Sequence, residues 1–158
     1  MEPVRWLTDE EQRAWRRLAA VVLQLPGTLE HQLQRDAGMT HVEYWVLALL
    51  SEEPDGRLPL RRLAAQANAS LSRLSHVVTR LEERGWVVRQ PDPTDGRTTL
   101  AVLTDDGRRV LVAAAPGHVR TVREMVFEPL SEGDLADLER IAGRIAARLD
   151  EPPAPSDR

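Results

Sequence analysis

One stretch of the chain, residues 71–84 (LSRLSHVVTRLEER), carries hydrogen-bond donors along one side and no acid until Glu82. At about 100° per residue, a helix here would turn its apolar residues toward a core: Leu71, Leu74, Val78 and Leu81. The opposite side collects hydroxyl, imidazole and guanidinium groups, from Ser72, Arg73, His76, Thr79 and Arg80, with Ser75 at its edge. Guanidinium groups can bond O6 and N7 of guanine together, and small hydroxyls permit close approach. The surface is therefore suited to the major groove of DNA.

A solvated amphipathic helix is the alternative interpretation of this pattern. Ser and Thr are poor helix formers, so a surface meant only for solvent would more often carry Glu, Lys or Arg. Ser70, directly before the stretch, is a good N-cap, and the helix N-terminus that it would begin favours phosphate. Taken alone, His76 is more typical of an ordinary surface histidine.

A second candidate lies in residues 89–104, RQPDPTDGRTTLAVLT, where two strand-like runs flank a polar tip that ends in Arg97. A hairpin after such a helix would project toward the neighbouring minor groove, whose negative potential attracts an inserted arginine. Asp95 would repel phosphate, so we expect it to hold the guanidinium of Arg97, or of a nearby arginine, and to stiffen the tip. The alternative is an ordinary Asp-Gly turn with an incidental arginine.

The remaining pattern is mainly helical and supplies a scaffold for these two surfaces. Thr8–Glu11 and Thr40–Glu43 have the capping-box spacing, and Gly38 is placed to end the first helix. The spacing of apolar residues predicts helices at 9–37, 41–51, 61–67, 71–84, 105–128 and 132–149, a short edge strand near 58–60, and hairpin strands at 86–90 and 98–103. The apolar face of the second helix is predicted to comprise Trp45, Val46, Leu49 and Leu50. Pro26 and Pro116 are expected to kink their helices without ending them.

The predicted fold class is therefore mainly α (α+β): about six helices and a small β-wing, with a winged helix-turn-helix at the centre. The predicted organisation is an N-terminal helical part at 1–39, a winged helix-turn-helix at 40–104, C-terminal helices at 105–150, and a disordered tail at 151–158. The tail, EPPAPSDR, has little to bury.

Charge is unevenly distributed along the 158 residues. The formal net charge is −4, yet residues 57–97 hold eight arginines and four acids, and the rest holds 13 arginines and 21 acids. The basic third coincides with the two candidate surfaces, as an electrostatic footprint for nucleic acid would. All 21 basic residues are arginine and there is no cysteine, so disulfides, thiolate metal sites and thiol redox sensing are excluded. No apolar run is long enough to span a membrane and the start lacks the pattern of a signal peptide, so a cytoplasmic location is expected.

The stretch from Asp95 through Arg97 to Leu103-Thr104 resembles the D-x-R-x-x-x-x-x-L-T wing signature of the MarR family of bacterial transcription regulators. The helix-turn-helix residues of 63–73 and 79–87 also resemble that family, and Thr104-Asp-Asp-Gly107-Arg108 is similar to the usual start of the helix after the wing. The resemblance covers residues 60–111.

The resemblance implies a homodimer, formed by intertwined N- and C-terminal helices, that binds a pseudo-palindromic operator in double-stranded DNA. The residues that would contact DNA are Ser70, Ser72, Arg73, Ser75, His76, Thr79, Arg80 and Arg97, with Asp95 supporting the wing and Arg61 or Arg62 adding phosphate contacts. Many relatives respond to a small aromatic acid or phenol. The segments that would line such a site here carry Trp15, His31, His41, Tyr44 and Trp45, although packing in a core or interface is the favoured interpretation of these aromatic residues.

Two rival functions fit less of the sequence. An enzyme would need a phosphate loop, a nucleophile motif or a zinc motif, and none is present; no cofactor or metal is expected. A winged helix that binds protein instead of DNA is the closer alternative. Salt discriminates between them, since binding to DNA weakens steeply as salt rises.

Overall fold

The N-terminal helix begins and ends at the residues that the capping signals predict. The structure, a computed structural model, describes residues 3–150, so the predicted disordered tail lies outside the described residues. Helix α1 (Asp9–Ala37) starts with a complete capping box between Thr8 and Glu11, and Gly38 ends it in a left-handed conformation. A second capping box, between Thr40 and Glu43, starts α2 (His41–Glu52).

The central portion is the predicted winged helix-turn-helix. The order is β1 (Arg57–Pro59), α3 (Leu60–Gln66), α4 (Leu71–Glu83), β2 (Val87–Pro91) and β3 (Thr99–Leu103). The three strands form an antiparallel sheet in the order β1-β3-β2, so the short strand predicted near 58–60 is an edge strand. The fold class and the element order predicted from the sequence are confirmed.

The last helices differ from the prediction in one respect. Helix α5 (Asp105–Val122) is followed by a π-helical segment, Arg123–Phe127, instead of continuing as an α-helix to residue 128. The backbone N–H of Glu128 donates to the carbonyl of Arg123 at 2.8 Å, a spacing of five residues that marks the wider turn. Helix α6 (Glu132–Asp150) completes the chain. Pro26 and Pro116 lie inside α1 and α5, which continue past them.

The described chain divides into two compact units, and the boundary along the chain falls between Val119 and Arg120. The first unit holds a core to which α1, α2, α3, α4, the sheet and α5 contribute. Its fully buried side chains include Leu33, Met39, Val46, Leu47, Leu50, Leu63, Leu74, Val78, Leu81 and Val87. The division of the chain at residues 39 and 104 stays a prediction.

Two helix faces are rotated from their predicted positions. In α2 the buried residues are Glu43, Tyr44, Val46, Leu47 and Leu50, whereas Trp45 is 45% exposed on the opposite side. The prediction placed Trp45 inward on hydropathy alone. It failed because the buried face of α2 includes the carboxylate of Glu43 near its centre. In α4, Leu71 is exposed and Val77 is buried, so the core-facing direction is shifted toward Val77.

Each unit leaves an apolar helix face exposed. In α1 the exposed residues include Trp15, Leu18, Val21 and Val22, and in α6 they include Leu135, Leu138, Ile141 and Ile145. Contiguous apolar exposure of this kind marks surfaces that bind a partner. Among the described residues, no helix is long and apolar enough to cross a membrane.

Candidate nucleic-acid interface

The turn between α3 and α4 exposes the first turns of α4. Asn68 adopts a positive φ of 49°, which asparagine tolerates better than most residues. The hydroxyl of Ser70 then accepts a hydrogen bond from the backbone N–H of Arg73 at 3.3 Å and caps α4. The side chains of Ser72, Arg73, His76, Thr79 and Arg80 all lie on the exposed face, as the sequence predicts. No acidic residue lies in the first turn of the helix.

Arg80 has an unforeseen partner within the protein. Its Nε atom lies 3.0 Å from Oε1 of Glu43, a carboxylate on α2 that is only 4% exposed. Half of the Arg80 side chain remains exposed. The arginine predicted to hold phosphate therefore also joins α4 to the start of α2.

Arg84 reinforces the same connection. It donates from Nη1 to the carbonyl of Gly38 at 3.0 Å, lies 3.7 Å from the Glu43 carboxylate, and stacks on the ring of Trp86 at 3.6 Å. The end of α1, the start of α2 and the end of α4 are thus held together by one buried acid and two arginines. Sequence reasoning missed this cluster because Glu43 was explained fully by its capping role.

Arg89, on β2, was also missed by the sequence analysis. Its guanidinium crosses to α4, where it forms an ion pair with Glu82 and contacts Ser75 and Thr79. Ser75, Thr79 and Glu82 are spaced four and three residues apart, so they lie on one side of α4. That spacing, followed by an arginine in the next strand, is the signal that could have indicated the contact.

The wing tip is held by side chains that bond to its own backbone. Asp95 accepts from the backbone N–H of Arg97 at 3.1 Å and from the hydroxyl of Thr98 at 2.9 Å. Asp92 accepts from the N–H and the hydroxyl of Thr94, and these bonds hold the pKa of Asp92 below its ordinary value. Among residues 3–150, Asp95 forms no ion pair with Arg97 or with another arginine, so the predicted ion pair is wrong. Asp95 stiffens the turn through the backbone instead, and Arg97 is exposed.

A cleft between α4 and the wing brings the two candidate surfaces together. Its lining includes Arg61, Leu71, Ser75 and Arg97. Arg61 and Arg97 therefore share one concave surface, whereas Arg62 forms a 3.1 Å ion pair with Glu53. The exposed Leu71, which the sequence placed in the core, also lies in this cleft.

The aromatic residues proposed to contact an effector fall into two groups. The Tyr44 ring lies 4.3 Å from that of His118 on α5, and the His41 ring lies 5.7 Å from it, measured between centroids. His118 was not anticipated; it is 8% exposed, and its Nδ1 has no hydrogen-bond partner within the described chain. Trp15 and Trp45 are exposed and form no ring contact with this cluster in the same chain. Hereafter His41, Tyr44 and His118 are called the histidine cluster.

Because of the histidine cluster, we expect the free energy of unfolding to decrease at acidic pH. Burial lowers the pKa of His118, and the neighbouring His41 lowers it further; burial also lowers the pKa of His41, against the opposing effect of Glu30. The unfolded chain therefore binds more protons below about pH 6.5, and stability should fall as pH decreases through that region.

Urea denaturation of the His118→Gln variant, at pH values on either side of 6.5, checks this expectation. The variant should lose less stability on acidification than the wild type, by up to about 1.4 kcal/mol per pH unit. His76→Gln, on the exposed face of α4, is the control and should retain the wild-type slope. Equal slopes for all three proteins would exclude His118 as the source.

The elements and their exposed surfaces define a winged helix-turn-helix protein. A model of the MarR family matches residues 37–98, which include α2, α3, α4 and β2. The chain is 45% identical to Sco3205, a MarR family transcriptional regulator from Streptomyces coelicolor solved in complex with DNA, with a TM-score of 0.92 and coverage of 98% of this chain and 97% of that one. The chain belongs to the MarR family of transcriptional regulators.

The chain is also similar to more distant proteins. The chain is 29% identical to CouR from Rhodococcus jostii RHA1, solved bound to p-coumaroyl-CoA, with a TM-score of 0.72 and coverage of 90% of this chain and 96% of CouR. It is 30% identical over 89 residues to the transcriptional regulator MhqR of Bacillus subtilis, a match that covers 56% of this chain and 60% of MhqR. The chain therefore spans less than two thirds of that curated relative.

Proposed function

We propose that this protein regulates transcription by binding a pseudo-palindromic operator in double-stranded DNA as a homodimer. The observation that carries the proposal is the exposed, acid-free start of α4 beside an exposed arginine at the wing tip. The N-terminal part of such a helix enters the major groove. Arg73, His76 and Ser72 would then meet base edges, while Arg61 and Arg80 would meet phosphates.

A second copy of the chain accounts for the apolar faces left exposed by α1 and α6. A two-fold dimer would bury these faces against their equivalents and present two α4 helices to half-sites about one helical turn apart. A winged helix that binds another protein through these faces would not need the cationic surface of α4. The charge distribution thus favours DNA over the protein-binding alternative.

A small aromatic or phenolic effector is part of the proposal. CouR was solved bound to p-coumaroyl-CoA, and the histidine cluster here presents three rings and a buried imidazole nitrogen between α2 and α5. Ring stacking with hydrogen bonding by imidazole suits such a compound. We assign its contacts to His41, Tyr44 and His118.

The decisive test is the salt dependence of DNA binding by the wild type and the Arg97→Ala variant. Operator fragments are selected from genomic DNA with the purified wild type, and affinity is then measured over a range of salt concentrations. Wild-type affinity should fall steeply with salt, because released counterions drive the binding. In a dimer, Arg97→Ala removes two cations and should lower the slope of log affinity against log salt by about two.

Arg109→Ala is the matched control, because Arg109 lies on α5, outside the helix-turn-helix and the wing, and pairs with Asp106 on the same helix. It should retain the wild-type slope. An Arg97→Ala slope equal to that of the wild type would show that the wing does not contact DNA. Salt-insensitive binding of the wild type would favour the protein-binding alternative. Loss of the complex when p-coumaric acid is added to the wild type is the corresponding readout for the effector.

A further inference from the structure

The guanidinium of Arg89 contacts three residues of α4 at once. Its Nη2 atom donates to the Ser75 carbonyl at 2.8 Å, to the Ser75 hydroxyl at 3.2 Å and to the Thr79 hydroxyl at 3.1 Å. Its Nη1 atom forms the ion pair with Glu82, and its backbone N–H donates to the same carboxylate at 2.8 Å. Only a quarter of the Arg89 side chain is exposed. Its charge is therefore compensated within the protein and is poorly placed for phosphate.

These contacts restrict the hydrogen bonds that two hydroxyl groups on the exposed side of α4 can form with another molecule. A hydroxyl has one proton to donate and two lone pairs to accept. Thr79 donates its proton to the Ser75 carbonyl at 3.0 Å and accepts from Arg89, which leaves it a lone pair. Ser75 accepts from Arg89 and keeps one lone pair, and its own proton has no acceptor among the described residues.

Hydroxyl groups that are held in one orientation discriminate between bases better than hydroxyl groups that rotate freely. The major groove presents acceptors at guanine O6 and N7 and at thymine O4, and donors at cytosine N4 and adenine N6. The Ser75 proton suits the first set and the Thr79 lone pair suits the second. Without Arg89 the Ser75 hydroxyl would lose its partner, whereas the Thr79 hydroxyl would still donate to the Ser75 carbonyl and would gain a second free lone pair.

We propose that Arg89 is a positioning residue for operator specificity, which acts by holding the Ser75 and Thr79 hydroxyls in a fixed orientation. The proposal rests on the DNA-binding function proposed above. Arg89 and Arg97 lie on the same hairpin, yet they differ in role. Arg97 supplies charge to DNA, whereas Arg89 determines which sequences the neighbouring helix accepts.

The experiment compares a selected operator with a duplex of scrambled sequence, using the wild type, Arg89→Lys and Arg89→Ala. Lysine keeps the positive charge beside Glu82 but lacks the planar group that contacts both hydroxyls. Both variants should lose at least about tenfold in the ratio of operator to scrambled affinity, the value of one good base contact. Affinity for the scrambled duplex and its salt slope should stay at wild-type values.

A second background separates positioning from a general loss of stability. In a Ser75→Ala, Thr79→Val protein the hydroxyls are absent, so adding Arg89→Lys should cause no further loss of specificity. A structural role alone would give the same loss in both backgrounds and would overturn the proposal. A drop in salt slope of about two for Arg89→Ala would also overturn it, because Arg89 would then be a phosphate contact. If the wild type binds no DNA, the proposed function and this inference fail together; if only specificity is unchanged in the variants, this inference alone fails.

Discussion

Replacing Gly107 with alanine is expected to lower the free energy of unfolding by about 3 kcal/mol, the upper part of the range for overpacking a well-filled site. A Cβ atom at this position would lie 2.2 Å from the carbonyl oxygen of Trp86 and 2.9 Å from Cδ1 of Leu103. The first of these atoms belongs to the backbone and cannot rotate away.

The neighbouring hydrogen bonds limit how far the backbone around Gly107 can shift. The Trp86 carbonyl accepts from the N–H of Thr104 at 3.1 Å, and the Thr104 hydroxyl donates to the carbonyl of Gly85 at 2.8 Å. The same hydroxyl accepts from the N–H of Gly107 at 3.0 Å. The start of α5 therefore packs directly against the residues that connect α4 to β2.

Chemical denaturation at a fixed protein concentration measures this effect, since the stability of a dimer depends on concentration. Gly143→Ala is the matched control: it also lies within a helix, but nothing lies within 4 Å of its added Cβ. Alanine there should stabilise the protein by up to about 1 kcal/mol through helix propensity. Wild-type stability in the Gly107→Ala protein would show that α5 does not rest on Trp86.

Replacing Glu43 with alanine should lower the free energy of unfolding by about 2–3 kcal/mol. The change removes the capping-box bond from the N–H of Thr40, at 2.8 Å, and the charge-assisted bond from Arg80. A lost cap costs about 1 kcal/mol and a charge-assisted bond about 1.5–3 kcal/mol, and these are not fully additive. Arg80 and Arg84 are partly exposed and can be hydrated, so the cost stays below that of breaking a fully buried pair.

The acid dependence of the Glu43→Gln variant tests the part of this effect that depends on charge. Burial by itself would raise the pKa of Glu43, but hydrogen bonds from Thr40 and Arg80 outweigh it and hold the pKa below 4.5. The stabilisation by the ionised form is therefore complete above about pH 4.5 and is lost as pH falls through the lower, folded-state value.

Glutamine keeps the shape of the side chain, so any difference from the wild type reports on the charge. Denaturation at neutral pH should show the variant to be less stable, and the difference should shrink on acidification. Glu53→Gln is the control, because Glu53 pairs with Arg62 at the surface. A difference that is independent of pH would exclude the Glu43 charge as its source.

Features carried by neighbouring residues could be predicted from the sequence. Both capping boxes, the stop at Gly38, the Ser70 cap and the exposed side of α4 depend on residues within one turn, so composition and spacing were sufficient. Contacts between distant residues were not predictable in the same way. The Glu43–Arg80 pair joins residues 37 positions apart, and the Arg89 contacts depend on how β2 crosses α4.

Two predictions were wrong because contacts made in the folded chain outweighed the preference of the side chain itself. Trp45 was assigned to the core on hydropathy, but the buried side of α2 is organised around the Glu43 carboxylate. Asp95 was expected to bind a guanidinium, but the nearer N–H of Arg97 satisfies it. In the first case a buried carboxylate occupies the face that hydropathy assigned to Trp45. In the second case a backbone N–H takes the place of the guanidinium that was expected to bind Asp95.

The strand order β1-β3-β2 constrains how this hairpin can change in length. Because β3 pairs with both neighbours, from Pro59 opposite Leu100 to Val87 opposite Leu103, a deletion within β3 would shift two registers together. A register shift of one residue turns inward side chains outward. Changes in length that preserve both registers are thus confined to residues 92–98, so the position of Arg97 can vary without moving α4.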